Sequence, residues 1–431
     1  MLNKNIFRKN NKTNSNPPMF YGWIIVLICA IGNFYSGPGQ TFSISIFIDS
    51  FINYLGMSRA LISTYYSVAT LLAGILVIFI SRQIDNLGHR KAITLISLFF
   101  GAVCLYMSFV IHPFMLFIGF FLLRLFGQSS MTIGPSTLIP HWFETKRGKA
   151  LSLMSMGSTI AAFLLPLMNI WLINSFGWRN AWRFWAANIW FVMVPLAWYF
   201  IHNKPKDIGL TMDGKISESV YDYKTSEKRT DYDIEKVPSK TLKEASKTLS
   251  FWLLLLCVFI PSMINTGITF HIVSIFDCSG FSARVAATVL SIIAITSLFS
   301  ALFAGYILDR VKLRNVLMVV YIFYFFILIW LLNVNTMQTA FMYGFFAGIM
   351  MGFYHVIINI VWPIYFGLRH LASIRGTVQT SMVIGSAFGP LPFGFAYHLF
   401  GGYKEIIIVM ILLSGLTAIA TFFIFPPFMK K

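Results

Sequence analysis

The chain has 431 residues, of which 57% are hydrophobic and only 11% are charged, and its formal net charge is +18. This composition excludes an ordinary soluble globular protein, because such proteins carry about 25% charged residues. The basic residues lie in the loops between long apolar stretches, so the positive charge indicates membrane topology rather than a nucleic-acid partner.

Twelve apolar stretches are long enough to cross a membrane, because a spanning helix needs about 20 mainly apolar residues. In chain order they cover 22–48, 59–80, 91–111, 114–138, 149–174, 180–201, 250–275, 283–307, 315–334, 338–363, 374–398 and 403–425. Gly37-Pro38-Gly39 interrupts the first stretch and predicts a kink or an irregular turn there, and Pro390 and Pro392 predict a bend in the eleventh. The first stretch is too long for a signal peptide, so we interpret it as a retained span.

The basic residues also predict the orientation of the chain in the membrane. If the N-terminus is cytoplasmic, 27 of the 33 Lys and Arg residues fall on the cytoplasmic side, five fall on the other side, and Arg124 is left inside a span. This asymmetry follows the positive-inside rule and is typical of an even number of spans. We therefore expect a multi-pass protein of the cell membrane with both termini in the cytoplasm.

One pattern of residues occurs twice along the chain. The matched positions are Gly56 with Gly280, Asp85 with Asp309 and Gly177 with Gly401, each 224 residues apart, and Gly157 with Gly385, which are 228 apart. A duplicated membrane domain is the simplest cause, and such duplication is typical of transporters that alternate access to a central site. The predicted fold is all-α and integral to the membrane, with twelve transmembrane helices in two pseudo-symmetric six-helix bundles.

The duplication predicts five segments. They are a cytoplasmic N-terminal tail (1–20), an N-terminal six-helix bundle (21–202), a cytoplasmic linker (203–249), a C-terminal six-helix bundle (250–426) and a short cytoplasmic tail (427–431). The region 202–249 holds ten basic and nine acidic residues. This nearly neutral mixture is typical of a connector and differs from a polybasic stretch that binds phospholipids.

Several segments resemble the signatures of one transporter family. Ser81 to Lys91 and Gly305 to Arg314 resemble the cytoplasmic signature of the major facilitator superfamily, small-x-x-x-Asp-(Arg)-x-Gly-x-Arg, and Arg124 to Gln128 is similar to its fourth-helix signature. The segments that resemble the bacterial monocarboxylate and oxalate/formate porter branch of that superfamily are Trp142 to Gly157, Phe176 to Trp182, Asn203 to Leu210 and Tyr365 to Pro390. This resemblance implies a secondary transporter that moves a small organic anion, a monocarboxylate, by proton symport or by exchange.

The resemblance also implies a conformational latch at the cytoplasmic ends of the helices. Asp85 and Asp309 would each face the start of a helix in the other half, near Gly376 and Gly148 respectively, when the cytoplasmic side is closed. A carboxylate at such a place is stabilised by free backbone N–H groups and by the helix dipole. The predicted latch residues are Asp85, Arg90, Asp309, Arg310 and Arg314.

Substrate-binding residues should be polar groups at mid-membrane depth, where burial costs free energy unless the groups have partners. The candidates are Asn33, Tyr35, Tyr66, Arg124, Gln128, His271, Tyr354, His355, Asn359 and Gln379. Arg124 lies near the middle of the fourth stretch, and no predicted span holds a central carboxylate to pair with it. It therefore either attracts an anionic substrate or braces neighbouring helices. Without a central carboxylate, a histidine or the substrate itself would have to carry a coupled proton.

We expect no cofactor and no metal, because the four cysteines are scattered and no metal or phosphate-loop motif is present. The expected partners are a small-molecule substrate, protons and the lipid bilayer, with no nucleic acid, and the expected state is a monomer. Two alternatives stay open: an efflux pump of the same superfamily for drugs or other lipophilic solutes, and a membrane sensor that has lost transport. The sequence offers no nucleophile motif that would indicate an enzyme.

Overall fold

The computed structural model describes residues 20–214, 239–308, 310–367 and 370–425, apart from the side chains of Asp85 and Ala372. This part of the chain is helical with short loops, and it contains no β-strand. Ten helical stretches in it are long and apolar enough to cross a membrane. Two more, at 178–200 and 371–400, fill the places of spans six and eleven. The predicted all-α membrane fold with twelve spans is confirmed, and the spans are numbered here in chain order.

The helix bounds follow the predicted stretches closely. The N-terminal half contains Gly22–Tyr35, Thr41–Ile44, Ile48–Leu55, Arg59–Leu87, His89–Met107, Pro113–Leu122, Met131–Trp142, Arg147–Phe176, Trp178–Asn188 and Val194–Phe200. The 3-10 turns Gly37–Gly39 and Ser45–Phe47 lie in span one, and the π-helices Leu123–Ser130 and Ile189–Met193 lie in spans four and six. The C-terminal half contains Leu249–Asp277, Ala283–Leu308, Leu313–Leu332, Met337–Phe366, Leu371–Phe388, Pro390–Phe400 and Lys404–Phe422. Short helical turns at Pro205–Ile208, Met212–Gly214 and Leu242–Ala245 lie between the halves.

Helix packing follows the duplicated sequence. In the N-terminal half, span one packs against span five, span two against span four, and span three against span six. In the C-terminal half the corresponding pairs, seven with eleven, eight with ten and nine with twelve, also pack together. The halves meet where span two packs on span eleven and span five packs on span eight. The duplication relates span two to span eight and span five to span eleven, so these two contacts are equivalent. The interface therefore has the same approximate two-fold symmetry as the halves.

Glycine allows an equivalent close helix contact in each half. A Cβ added at Gly157 in span five would collide with the carbonyl of Ala30 in span one, and a Cβ added at Gly385 in span eleven would collide with the carbonyl of Phe259 in span seven. Small residues at such positions let two helix backbones approach, which is how helices commonly associate within a membrane. The sequence match between Gly157 and Gly385 therefore reflects one packing contact made twice.

Two arginines make equivalent braces at the ends of the halves. Arg90 donates a hydrogen bond from Nε to the carbonyl of Trp198 in span six at 2.7 Å, and Arg314 donates from Nη2 to the carbonyl of Phe422 in span twelve at 2.8 Å. Both the donors and the acceptors are 224 residues apart. Each arginine thereby attaches the start of one span to the end of the last span in its half.

Each half has six spans, so its two ends lie on one face, which we call the terminus face; the opposite side is the far face. Arg59 lies at the far-face start of span two, and Tyr397 lies near the far-face end of span eleven. The Arg59 guanidinium carbon is 4.9 Å from the ring centre of Tyr397, so the two halves have the same orientation. At the far face His271 of span seven also bonds Ser63 of span two.

The terminus face has a different character. A Cβ added at Gly148 or Gly376, at the starts of spans five and eleven, would meet no described atom within 4 Å. The described residues therefore close the far face and leave these two helix starts uncovered at the terminus face.

An acidic side chain fixes the loop before span five. Asp213 Oδ2 accepts hydrogen bonds from the backbone N–H of Thr145 at 2.7 Å, from its hydroxyl at 2.8 Å and from the backbone N–H of Glu144 at 3.3 Å. Partial burial raises the pKa of Asp213, but these hydrogen bonds outweigh it and hold the pKa below its usual value. The ionised carboxylate thus attaches the segment after span six to the start of span five.

Replacing this carboxylate tests the attachment. Asp213→Asn should lower the thermal unfolding midpoint in detergent at pH 7, because the loss of such charge-assisted bonds costs about 1 kcal/mol. Since the folded-state pKa is lowered, the stabilisation is complete above the unfolded value of about 4 and is lost as the pH falls through the folded value. The difference between the two proteins should therefore stay constant above about pH 5 and shrink below about pH 4.

The control for this prediction is Asp207→Asn. Among the described residues, Asp207 accepts from the backbone N–H of Lys204 within its own exposed turn and bonds no other segment, so its loss should change the midpoint less. Equal midpoints for Asp213→Asn and the unmodified protein at pH 7 would show that the contact does not stabilise the fold.

Candidate functional site

The first span is broken at the predicted place, and the break lies against an irregular part of span four. The 3-10 turn Gly37–Gly39 packs on the π-helix Leu123–Ser130. A Cβ added at Gly39 would lie 2.6 Å from the carbonyl oxygen of Leu123 and 2.8 Å from the Cα of Gly127, so only glycine permits this approach. π-helices are rare and occur frequently at functional sites. The pair of irregular segments therefore marks a candidate site in the N-terminal half.

Arg124 lies in the π-helix and is 2% exposed. Its Nη1 donates to Oγ1 of Thr41 at 3.3 Å, and its guanidinium carbon lies 5.0 Å from the ring centre of Tyr66. The hydroxyl oxygens of Tyr66 and Thr41 are 2.8 Å apart. Within the described residues the one ion pair joins Asp49 to Arg59, so no described carboxylate neutralises Arg124. The guanidinium is a buried cation surrounded by neutral groups.

Several buried polar atoms in spans one, two and four have no hydrogen-bond partner among the described residues. They are Nε of Arg124, Oε1 of Gln128, Oδ1 of Asn33 and Oγ of Ser67. The amide of Asn33 also donates from Nδ2 to the carbonyl of Met154 at 3.3 Å. Because buried polar groups in folded proteins nearly always have partners, these atoms need water or a ligand. Thr41, Tyr66 and Arg124 contact one another, and we call this group the N-half site; Asn33 and Gln128, on spans one and four, stay predicted members of it.

Two of the predicted tyrosines lie in the cores of the halves. Tyr35 is 7% exposed and packs edge-on against Phe34, with 5.5 Å between the ring centres. Tyr354 is buried, and its hydroxyl donates to the carbonyl of Val258 at 3.2 Å, which joins span ten to span seven. Both side chains support helix packing in this structure, and their assignment to substrate binding stays a prediction.

The other candidates of the C-terminal half lie on exposed faces of spans ten and eleven. His355, Asn359 and Gln379 are all exposed, in the parts of these spans nearer the terminus face. Asn359 donates from Nδ2 to the carbonyl of His355 at 2.8 Å, and Arg375 donates from Nη2 to the carbonyl of Asn359 at 2.9 Å. The structure thus brings a cation, Arg375, next to the predicted polar set.

His271 lies in the interface between the halves near the far face and is 1% exposed. Its Nε2 is 3.1 Å from Oγ of Ser63 and 3.1 Å from the carbonyl of Pro390, and its Nδ1 is 3.2 Å from the hydroxyl of Tyr403. Ser63 already donates its proton to the carbonyl of Arg59, and the carbonyl of Pro390 can only accept, so Nε2 carries a proton and is the donor in both contacts. Here His271 joins the two halves, and a role in substrate binding stays a prediction.

The predicted latch is described only in part. Asp309 and the side chain of Asp85 lie outside the described residues, so the contacts of these carboxylates stay predictions. Arg310 donates to the carbonyl of Tyr306 at 3.4 Å, and its guanidinium carbon lies 3.5 Å from the centre of that ring. The remaining latch arginines are the two braces at the ends of spans six and twelve.

Sequence reasoning missed three residues that the structure places at these sites. Thr41 bonds both Arg124 and Tyr66, Ser63 bonds the interface histidine, and Arg375 bonds span ten. Hydroxyl residues are common inside spans, so their type alone gave no signal. For Thr41 the available signal was its position two residues after the Gly37–Gly39 turn, because a break in a span directs nearby groups toward a cavity.

A separate small cavity lies inside the C-terminal half, between spans seven, eight, nine and ten. Its polar lining residues are Asn265, Thr269, Tyr324 and Tyr343, and its other walls are aliphatic side chains and methionines. The hydroxyl of Tyr324 donates to Oδ1 of Asn265 at 3.2 Å, so part of this polarity is already satisfied. Across the described residues, no group of three or more His, Cys, Asp or Glu side chains could hold a metal ion.

Comparison with known proteins identifies the fold and the family. A family model described as Major Facilitator Superfamily matches residues 22–390 and 275–430. Two crystal structures of a bacterial homologue of the human lysosomal transporter Spinster are similar, both inward-facing and both 14% identical to this chain. The unoccupied form has a TM-score of 0.72 over 95% of this chain and 98% of its own, and the occupied form has 0.69 over 95% and 97%. No curated protein matches the chain. The chain therefore belongs to the major facilitator superfamily of membrane transporters.

Proposed function

We propose that this superfamily member is a secondary transporter that moves a small organic anion, a monocarboxylate, across the cell membrane by alternating access. The duplicated halves and their equivalent packing support this mechanism, because two such halves can close either face around a central site. We place both termini in the cytoplasm, on the evidence of the Lys and Arg distribution. In that orientation the described state is closed to the outside.

The observation that carries the proposal is the buried guanidinium of Arg124. Insertion scales give a cost of about 2.5–3.5 kcal/mol for an arginine at the centre of a spanning helix. A carboxylate beside it would offset that cost through charge-assisted hydrogen bonds, one of them to the unpartnered Nε. A lipophilic cation would instead be repelled. The N-half site thus supports an anion transporter over an efflux pump for cationic drugs.

The number of charges favours one carboxylate over two. Among the described spans, Arg124 is the one Lys or Arg near a helix centre. A dicarboxylate would bring a second negative charge, which is costly in a low-dielectric site unless a cation is beside it, and Arg375 lies away from Arg124, near the terminus-face end of span eleven. The neutral groups of Thr41, Asn33 and Gln128 suit the uncharged remainder of a small monocarboxylate. The segments that resemble the monocarboxylate and oxalate/formate branch support the same choice.

We propose proton symport or exchange as the driving process. The described spans hold no carboxylate near their centres that could carry a proton. A proton would therefore travel on the substrate carboxylic acid or on a histidine. His355 is exposed on span ten and is accessible in this state, whereas His271 is enclosed between the halves.

We further propose the latch for the state that is closed at the terminus face. Asp309 would meet the start of span five at Gly148, and Asp85 would meet the start of span eleven at Gly376; among the described residues nothing covers either helix start.

Asp85→Asn and Asp309→Asn should each slow transport while substrate affinity changes little, because the latch acts on conformation and not on the site. Uptake rates and binding constants measured on the same preparations check this. Normal uptake rates in both variants would exclude the latch.

Arg124 variants test the substrate site. Arg124→Lys should keep weak transport and raise KM by about tenfold or more, because lysine retains the charge but loses the planar fork that binds carboxylates. Arg124→Gln should abolish binding. The assays are uptake of labelled lactate, pyruvate, formate and oxalate into proteoliposomes, with and without a pH gradient, and thermal shift with each anion.

Arg179→Gln is the matched control for the loss of an arginine. Arg179 lies at the far-face start of span six, where its guanidinium carbon is 4.1 Å from the ring centre of Tyr54 and 4.4 Å from that of Trp178. Its loss should leave anion binding intact. An Arg124→Gln protein that folds and still binds the anion would leave Arg124 a purely structural role.

Cysteine labelling tests the proposed orientation. Single cysteines at Ser217 and Asn335, in a background without the four native cysteines, should react with impermeant reagents from opposite sides of the membrane, since the distribution of basic residues predicts a cytoplasmic location for 203–249. The measurement is labelling of intact cells and of inverted vesicles. Reaction of the cysteine at 217 from outside intact cells would reverse the orientation.

A further inference from the structure

Tyr66 contacts both the buried cation and the opposite half of the molecule. It is fully buried in span two, at 0% exposure. The ring lies 5.0 Å from the guanidinium carbon of Arg124, and the hydroxyl is 2.8 Å from that of Thr41. The same ring lies 4.4 Å, centre to centre, from Phe270 of span seven. One side chain therefore connects the N-half site to the interface between the halves.

The contact with Phe270 belongs to the closure of the far face. Phe270 directly precedes His271, which bonds Ser63 across the same interface at 3.1 Å. We call these two contacts, Tyr66 with Phe270 and Ser63 with His271, the far-face seam. Ser63 and Tyr66 lie three residues apart on span two, so both project from nearly the same side of that helix toward span seven. When the far face opens, the two contacts must separate together.

We propose that Tyr66 couples anion occupancy of the N-half site to opening of the far-face seam. In the empty site the guanidinium holds the face of the Tyr66 ring, which keeps the ring against Phe270. A bound carboxylate draws the guanidinium away from the ring and so loosens the seam. This inference rests on the proposed function, because it assigns a consequence to anion binding at Arg124.

The relative strength of the competing interactions gives the direction of the effect. Charge-assisted hydrogen bonds to a carboxylate are stronger than the contact of a cation with an aromatic face. The guanidinium therefore leaves the Tyr66 ring and bonds the anion. Thr41 is shared, since its hydroxyl accepts from Arg124 and also bonds Tyr66. Movement of the guanidinium therefore disturbs two of the contacts of Tyr66 within its own half, while the edge-on contact with Phe120, at 5.6 Å between ring centres, does not involve the guanidinium. A ligand shifts a conformational equilibrium only through such a difference between the two states.

The test measures the far face directly and first without any ligand. Ile111 and Asn335 lie in exposed loops at the far ends of the two halves, 224 residues apart in equivalent positions. Spin labels on cysteines at these two sites, in a background without native cysteines, report the opening as a longer distance. Tyr66→Leu and Phe270→Leu should each raise the long-distance population about threefold or more, and the double variant should add nothing further.

Charge variants separate coupling from simple packing. Arg124→Gln should raise the long-distance population as Tyr66→Leu does, whereas Arg124→Lys, which keeps a cation against the ring, should not. Added to Tyr66→Leu, the Gln change should have no further effect. The control is Tyr65→Leu. Tyr65 packs on Phe117 within its own half, at 5.5 Å between ring centres, so this variant should leave the far face closed.

Two outcomes would overturn the coupling. One is an unchanged distance distribution in Tyr66→Leu and Phe270→Leu; the other is an Arg124→Gln effect that persists in full in the Tyr66→Leu background. With lactate, pyruvate, formate and oxalate as probes, an equal shift in the unmodified and Tyr66→Leu proteins would reject the coupling and leave the proposed function standing. No shift and no binding with any of the four anions would reject the proposed function, while the ligand-free comparison still decides whether Arg124 acts on the seam through Tyr66.

Discussion

A membrane interior offers backbone groups no water, so a helix can be interrupted there only where other protein covers the break. The turn Gly37–Gly39 meets this constraint by lying on the π-helix Leu123–Ser130, and the contact requires glycine on both sides. The two irregular segments place Thr41 against Arg124. The candidate site thus depends on a single close approach between spans one and four.

The chemistry of that site follows from the buried positive charge of Arg124, which has no described carboxylate beside it. Arg124 is held by a hydroxyl and by an aromatic face, interactions that orient a guanidinium but leave its charge in place. Polar atoms of Asn33 and Gln128 are also left without partners. Such an arrangement costs stability, and a protein retains it where a ligand or water completes it. We propose a small anion as that ligand, because it would satisfy the charge and the free donor together.

The two halves explain how one site can be reached from either face. Each half is rigid where glycine brings two helices together and where an arginine attaches its last span. Between the halves, the far face is closed by short contacts of small and aromatic side chains, while the starts of spans five and eleven are uncovered. Opening of the far face would separate these contacts, and Tyr66 contacts both Phe270 across the interface and Arg124 in its own half.

The sequence by itself determined the spans, the duplication, the break in span one, the bend in span eleven and the depth of Arg124. These features depend on local composition and spacing, which set span length and helix irregularity. Tertiary structure alone decided which polar groups meet: Thr41 joined Arg124, and His271 bonded Ser63, 208 residues away, between the halves. The rotation of each helix about its own axis causes this difference, because packing against neighbouring helices sets that rotation and an apolar stretch carries almost no periodic signal for it.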